Sequence, residues 1–447
     1  MIKEIEPDYP AHILEAFRKK TSKSRMEYHR TAEILPAGSV GGLGATNVPY
    51  EIYIERGEGC YVWDIDGNRY LDMFCGDWLM TLGHGNALVK AAISEQLEKG
   101  TTFGSPPARL GYELANLIRE RFPSVEMLRF ATSGTEANLN AVRLARTFTK
   151  RGKIAKFHGA YHGSADITLI SNCLNADPNV LPLGMFPGTE RGVVLLPPND
   201  IKACEEIITR EKGDLAAILF EPILGVMGFV PLTREFVHFL RDITRKYDIV
   251  LICDEVVTMP LEIGGAQGYY GITPDLTTFG KAIGGGLPLA AYGGRRDLMG
   301  LLDPHQHDGR APLLIASTMG GMAVCLAAGI AAVKQYTPEM HRHLHMLGER
   351  ARGGVATLAK KYDVPLQVSG VGQFFGLHWT PTKVVDYPSY TTNDYHKIML
   401  FCLALAVRDV LVPELGTFVL SGAMTAADID VFLAAAEQAL FDSELVK

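Results

Sequence analysis

The sequence predicts an α/β fold, with a large domain built on a mostly parallel sheet sandwiched by helices and a smaller α+β domain drawn from both termini. Three observations predict it. Short apolar runs at Lys153–Phe157, Gly192–Leu196, Ala216–Phe220, Ile249–Cys253, Leu276–Phe279 and Ala290–Gly293 recur between segments of helical period, the pattern of parallel strands buried on both faces. The 447 residues hold 46 glycines against 24 prolines, which suits many tight strand-to-helix turns. Beyond Val333 the pattern changes to a His- and Arg-rich helix and two short strands. The expected organisation is therefore residues 1–70 as an N-terminal arm and strands joining the small domain, 71–333 as the large domain, and 334–447 as the C-terminal small domain.

Taken in order, a helical pattern covers Ala11–Leu35 and ends in Pro36-Ala37-Gly38 and the glycine-rich Gly41-Gly42-Leu43-Gly44. Strand alternation follows at Glu51–Glu55 and Tyr61–Asp64, with Asp66-Gly67 as a tight turn before Tyr70-Leu71-Asp72, which reads as a small antiparallel unit. From Ala87 the helices and apolar runs alternate. In Ala137–Lys150, Leu139, Val142 and Ala145 are expected on one face. The last elements are an apolar helix at Met322–Val333, strands near Leu366 and Phe374, and an amphipathic helix at Ala426–Leu440.

Composition narrows the function. With 47% hydrophobic and 21% charged residues the chain is an ordinary folded protein. A net charge of −7 without a basic block argues against nucleic acid as a partner. Seven cysteines, at 60, 75, 173, 204, 253, 325 and 402, stand singly, with no metal-ligand spacing; they read as thiols in a reducing compartment. The N-terminus has no leader pattern, so a cytoplasmic location is expected. Leu313–Val333 carries no charge over a length that spans a bilayer, but its serine, threonine, glycines and alanines fit a buried helix at a tight interface better than a membrane.

Four segments carry candidate chemistry. Ile249–Cys253 runs into Asp254-Glu255-Val256, which puts a carboxylate beyond a strand end, where open parallel sheets bind ligands; a helix-capping acid reads the same way. Leu276–Phe279 runs into Gly280-Lys281 and then Gly284-Gly285-Gly286. A lysine so placed is either a buried nucleophile toward aldehydes or a snorkelling strand-end residue. Ser133-Gly134-Thr135-Glu136 opens a helix, as a phosphate cradle or as an ordinary N-cap. Tyr161-His162-Gly163 puts an aromatic ring at a further strand end, for stacking or for the core. Together they ask for one planar, electron-poor aldehyde with a phosphate, pyridoxal 5′-phosphate.

The ordered motifs Arg56-Gly-Glu-Gly59, Trp63-Asp-Ile-Asp66-Gly67, Leu82-Gly83-His84, Ser133-Gly-Thr-Glu136, Tyr161-His-Gly163, Phe220-Glu-Pro222, Asp254-Glu-Val256, Gly280-Lys281 and Gly284–Gly286 resemble those of class III, fold type I aminotransferases. The group is the one that includes glutamate-1-semialdehyde aminomutase, β-phenylalanine aminotransferase and D-phenylglycine aminotransferase. The resemblance covers most of the chain. It implies that Lys281 links covalently to the cofactor and shuttles the proton, and that Asp254 pairs with the ring nitrogen. It further implies that Ser133, Gly134 and Thr135 bind the phosphate, that Tyr161 and Val256 flank the ring, and that Glu221 lies near the site. Thr318 matches a residue that reaches the neighbouring subunit's cofactor, so a homodimer with shared sites is expected, and the uncharged stretch becomes the interface that delivers it.

The departures matter as much. Arginines that grip substrate carboxylates in relatives are replaced here by Leu261, by Gly44 and by Pro413-Glu414-Leu415-Gly416. Thr318-Met319-Gly320-Gly321-Met322-Ala323 also stands in place of the usual Gly-Asn-Pro ending. The expected activity is an aminotransferase with an apolar pocket, lined by Trp78, Met80 and Leu261, for aromatic or bulky amines; Arg25, Arg30 or Arg310 is the alternative grip for a carboxylate. An aminomutase or epimerase on the same scaffold is the second expectation, and a non-enzymatic cofactor-binding regulator the third.

Overall fold

In the larger unit, seven strands form one sheet in the spatial order Met127–Ala131, Ala290–Gly294, Leu276–Phe279, Val250–Asp254, Leu215–Phe220, Lys153–Phe157 and Val193–Leu196. All neighbours pair in parallel except Ala290–Gly294, which runs antiparallel to the strands on both sides. The computed structural model describes residues 4, 7–41, 49–104, 109–173, 182–413 and 415–446. Two compact units are present: Ala87–His341 with Val385–Tyr390, and Met1–Asn86 with Arg342–Val384 and Thr391–Lys447.

The six expected strands of the sheet are present to within one residue at each end, and Met127–Ala131 joins them without an apolar run to announce it. Every residue of Leu215–Phe220, Val250–Asp254, Leu276–Phe279 and Ala290–Gly294 is buried. Such strands read as unbroken apolar runs because both faces are covered. The helix Gly134–Thr149 covers part of the sheet with Ala137, Ala141, Val142, Leu144 and Ala145, all at 0% exposure. Leu139, expected on that face, is 37% exposed. The buried stripe is set by the four-residue spacing of alanines 137, 141 and 145, and Leu139 stands about 200° around the helix from Ala137.

The uncharged stretch resolves into two parts. Residues 313–322 are irregular, and only Ala323–Val333 is helical. No helix among the described residues is long and apolar enough to cross a membrane. The helix packs inside the larger unit against Ala87–Leu97, Arg109–Arg121 and the turn Lys281–Gly284. Its apolar character therefore serves the core of its own unit. Thr318 precedes it on exposed chain, between Leu314 at 83% and Met319 at 47% exposure.

The smaller unit holds a four-stranded sheet of Ile54–Glu58, Tyr61–Asp64, Arg69–Asp72 and Val410–Leu411, and a three-stranded one of Leu366–Val371, Phe374–Trp379 and Thr417–Val419. The expected single helix over Ala11–Leu35 is two helices, Ala11–Lys20 and Ser22–Thr31. The break comes from a distant side chain. Asp66 accepts hydrogen bonds from the backbone N–H groups of Lys23 at 2.7 Å and Ser24 at 2.9 Å, capping the second helix. The unit boundaries fall after Asn86 and His341, later than the expected 70 and 333. Residues 71–86 stay with the smaller unit because Arg69–Asp72 pairs with Val410–Leu411, and His84 both bridges to Gly59 and hydrogen-bonds Asp72 at 2.6 Å. Val385–Tyr390 belongs with the larger unit, where Tyr390 Oη donates to the Val226 carbonyl at 3.1 Å.

Candidate active site

Strand alternation sends neighbouring side chains to opposite faces, and the two carboxylates after Val250–Cys253 part accordingly. Asp254, 5% exposed, faces the helix Gly134–Thr149. Its Oδ2 accepts from Asn138 Nδ2 at 2.7 Å and His162 Nδ1 at 2.8 Å, and its Oδ1 from the Val256 N–H at 3.0 Å. Thr278, the register partner of Asp254 on the next strand, ties Asn138 in place by donating to its Oδ1 at 2.7 Å. An ionised carboxylate only accepts, so His162 presents Nδ1–H to it. Burial lowers the His162 pKa, against the opposing effect of Asp254. The ring is thus neutral at ordinary pH, and its Nε2 has no partner among the described residues.

Glu255 points the other way and serves structure. Fully buried, it accepts from the backbone N–H groups of Ala266 at 3.0 Å and Gln267 at 2.8 Å and from Thr258 Oγ1 at 2.5 Å. It thereby fixes the start of the short helix Gly265–Tyr270.

Val256 sits between two glycines. A Cβ on Gly134 would lie 3.0 Å from Val256 Cγ2, and one on Gly280 would lie 3.1 Å from Val256 Cγ1. The helix start Gly134-Thr135 and the lysine segment Gly280-Lys281 therefore converge on one side chain. Lys281 has a left-handed backbone, φ 48°, uncommon for a residue with a Cβ. The turn it opens, Lys281–Gly284, is backed by the uncharged helix: a Cβ on Gly285 would lie 2.9 Å from the Ala328 carbonyl, and one on Gly329 would lie 2.7 Å from the Ile283 carbonyl. These glycines let two backbones touch and so hold the lysine turn.

Ser133 is a true N-cap, accepting from the Glu136 N–H at 3.2 Å. Glu136 folds back to accept from the Thr132 N–H at 2.9 Å and Thr132 Oγ1 at 2.7 Å. The cap and cradle readings of this motif are compatible, since the cap satisfies one N–H and leaves the remaining first-turn donors at a positive helix end. Thr135 Oγ1 accepts from the Ser164 N–H at 3.2 Å, which draws the loop after Tyr161 to the helix start. Gly163 makes this approach feasible: at φ 97°, its Cβ would lie 2.3 Å from Thr135 Oγ1 and 2.6 Å from Thr135 Cα. Gly163→Ala is accordingly expected to cost about 2–4 kcal/mol, adding left-handed strain to overpacking. A thermal midpoint of the cofactor-free protein at fixed concentration checks it, and an unchanged midpoint counts against this packing.

Tyr161 is 36% exposed, on a loop beyond the strand Lys153–Phe157, and its backbone N–H donates to Glu221 Oε1 at 2.8 Å. Glu221 Oε2 accepts from the Gly225 N–H at 3.1 Å. Burial and the nearby Asp254 push the Glu221 pKa up to about 8, against the two N–H donors and Lys156. The structure thus gathers Ser133, Gly134, Thr135, Tyr161, Glu221, Asp254, Val256 and Lys281 within the larger unit at the carboxyl ends of its strands, and leaves Thr318 on the exposed stretch described above.

Residues 43–419 match the family model of class-III aminotransferases. The chain belongs to this family. It is 37% identical over 431 residues to glutamate-1-semialdehyde 2,1-aminomutase 2 of Geobacillus kaustophilus (strain HTA426), covering 93% of this chain and 97% of the relative. Among solved structures it resembles an omega-transaminase from Sphaerobacter thermophilus, at a TM-score of 0.90 and 33% identity over 96% of this chain and 99% of the other. It also resembles a β-phenylalanine aminotransferase from Variovorax paradoxus, at a TM-score of 0.87 and 32% identity over 96% of each chain.

This class-III member has the fold type I architecture expected from sequence, and its cofactor is pyridoxal 5′-phosphate. The site fits that group: a buried carboxylate aligned by Asn138, His162 and the Val256 N–H, a helix start whose Gly134 packs tightly against Val256, and a lysine on a fixed turn. Sequence reasoning passed over Asn138, His162, Thr278 and Lys156. Two left a signal: Asn138 interrupts the apolar face of a helix, and Lys156 interrupts an apolar strand.

The substrate side departs further from expectation. Leu261 is fully buried in the larger unit and offers no exposed lining. Trp78 and Met80 belong to the smaller unit, where Cys75, Gly76, Asp77 and Trp78 make a left-handed turn with φ of 52°, 56°, 59° and 68°. Asp72 Oδ1 holds this strained turn by accepting from the Phe74 and Cys75 N–H groups at 2.9 Å each. Arg25 is engaged, its Nε donating to Glu4 Oε1 at 2.6 Å, and Arg30 pairs with Glu27 at 3.5 Å. Arg310 is exposed in the larger unit. Gly44 and Glu414 lie outside the described residues.

Proposed function

We propose that this chain is an aminotransferase moving an amino group between an aromatic or bulky amine or amino acid and a keto acid or aldehyde, in a ping-pong cycle, as a homodimer with shared active sites. What supports the substrate class is the missing cation at position 261, where the resemblance puts an arginine in relatives that handle acidic substrates: Leu261 stands there, fully buried, so it withholds a carboxylate grip without itself lining the pocket, and the pairing of Arg25 with Glu4 removes one alternative grip. The exposed stretch around Leu314, Thr318 and Met319 supports the dimer, in which Thr318 serves the partner's site.

When bound, pyridoxal 5′-phosphate supplies an electron-poor ring that takes up the electron pair left as a substrate carbon loses its proton. Asp254, aligned by Asn138, His162 and Val256, would hold a proton on the ring nitrogen. Lys281 Nζ would hold the group covalently and would be the base that moves the substrate proton. Gly134 and Thr135 would hold the phosphate with first-turn N–H groups, and Tyr161 and Val256 would flank the ring.

An isomerase is the second reading, favoured by the relative named as an aminomutase. The first half-reaction separates the two. The visible spectrum of the holoenzyme should convert to the amine form with neutral aromatic amines or bulky amino acids, releasing one equivalent of carbonyl product. Strong preference for dicarboxylic amino acids refutes the apolar pocket, and full turnover of one substrate without a keto acid refutes the transferase.

A further inference from the structure

The strand Lys153–Phe157 carries a lysine with no exposed surface. Lys156 Nζ donates to three carbonyls, Ala160 at 2.8 Å, Thr168 at 2.9 Å and Ile170 at 2.7 Å. Three donors meet three acceptors, so the ammonium is fully satisfied by a single loop. One of those carbonyls belongs to the peptide unit that joins Ala160 to Tyr161. The N–H of the same unit donates to Glu221 Oε1 at 2.8 Å. A single amide plane is therefore gripped by the buried Lys156 side chain at its oxygen and the buried Glu221 side chain at its nitrogen. Burial draws the Lys156 pKa down to about 7 against the pull of Glu221.

Burying an amine and a carboxyl group is costly. What the pair supplies is rigidity at one point. Tyr161 is 36% exposed, so the position of the backbone behind it contributes to where its ring stands. We propose that Lys156 and Glu221 are positioning residues that clamp the Ala160–Tyr161 peptide from both ends and so hold the Tyr161 ring ready to stack on the cofactor. The proposal rests on the stacking role given to Tyr161 under the proposed function.

The test uses the full-length protein, with cofactor removed and restored. Lys156→Met is expected to weaken pyridoxal 5′-phosphate binding roughly 10- to 100-fold, the scale for residues that orient a ligating group from behind. It should also lower hydrogen-exchange protection of the Tyr161 amide in the cofactor-free protein. In a Tyr161→Ala background the same change should leave cofactor affinity where Tyr161→Ala alone puts it. Equal fold-losses in both backgrounds, or an unchanged Tyr161 amide, overturn the clamp. Glu221→Gln, which keeps one acceptor, answers the same questions if Lys156→Met does not fold. Should Tyr161→Ala by itself leave affinity unaltered, the stacking assignment fails, and amide exchange alone then decides whether the clamp exists.

Discussion

Lys281→Ala is expected to lower turnover by about 10,000-fold or more, because under the proposed function the change removes both the attachment point and the group that carries the proton. The fold should tolerate it. Position 281 keeps its left-handed backbone whether lysine or alanine stands there, and the turn is held by contacts that do not involve the side chain: Gly280 against Val256, and Gly285 against Ala328. The variant should therefore bind cofactor non-covalently, with a thermal midpoint near that of the parent. Borohydride reduction of the parent followed by peptide mapping should place the adduct on Lys281. An adduct elsewhere, or turnover within tenfold of the parent, contradicts the assignment.

Asp254→Asn is expected to slow proton abstraction about 100- to 1,000-fold, the scale for losing one preorganised electrostatic group. The charge proposed to keep a proton on the ring nitrogen is gone, and the local geometry adds a second cost. Asp254 accepts from Asn138 and His162 on one oxygen and from Val256 on the other. An asparagine offers a single acceptor, so its amide N–H₂ must face at least one of these donors. Leaving a buried donor unmet costs about 1–3 kcal/mol, which a thermal melt of the cofactor-free protein will read separately from rate. His162 can relieve part of this by shifting its proton to Nε2, which stands without a partner among the described residues. Single-turnover rates with a deuterated substrate measure the chemical step directly. A near-normal rate refutes the role of Asp254.

Legibility in the sequence followed the range of the physics. Strands announced themselves where both faces are buried, since a run such as Leu215–Phe220 then carries no polar alternation to confuse it. Met127–Ala131 gave no such signal because its burial is partial and Arg129 interrupts it. The N-terminal helix pattern ran on through Thr21, since the side chain that starts a new helix there is Asp66, more than forty residues away. Leu139 was misplaced for a related reason. Its apolar character suggested a core position, whereas alanines, which allow a helix to approach a sheet closely, line the buried face.

For the site itself, the sequence by itself determined the chemical groups and their local settings: a carboxylate and a lysine each just past an apolar strand, and a hydroxyl–glycine pair at a helix start. These are short-range facts, carried by residues within a few positions of one another. Only the tertiary structure decided what surrounds them. Asp254 is aligned by Asn138, 116 positions away, and by His162, 92 positions away, and Asn138 is in turn held by Thr278 at a separation of 140. Such pairs depend on the order in which strands lie side by side and on which helix covers them, and neither is written in the local period of the chain. The same holds for the uncharged stretch, whose composition favoured a buried helix at a tight interface over a membrane span without saying which part of the fold it would meet. Contact between Ala328 and Gly285 placed its helix under the lysine turn, where Gly329 and the small alanines let the two backbones touch.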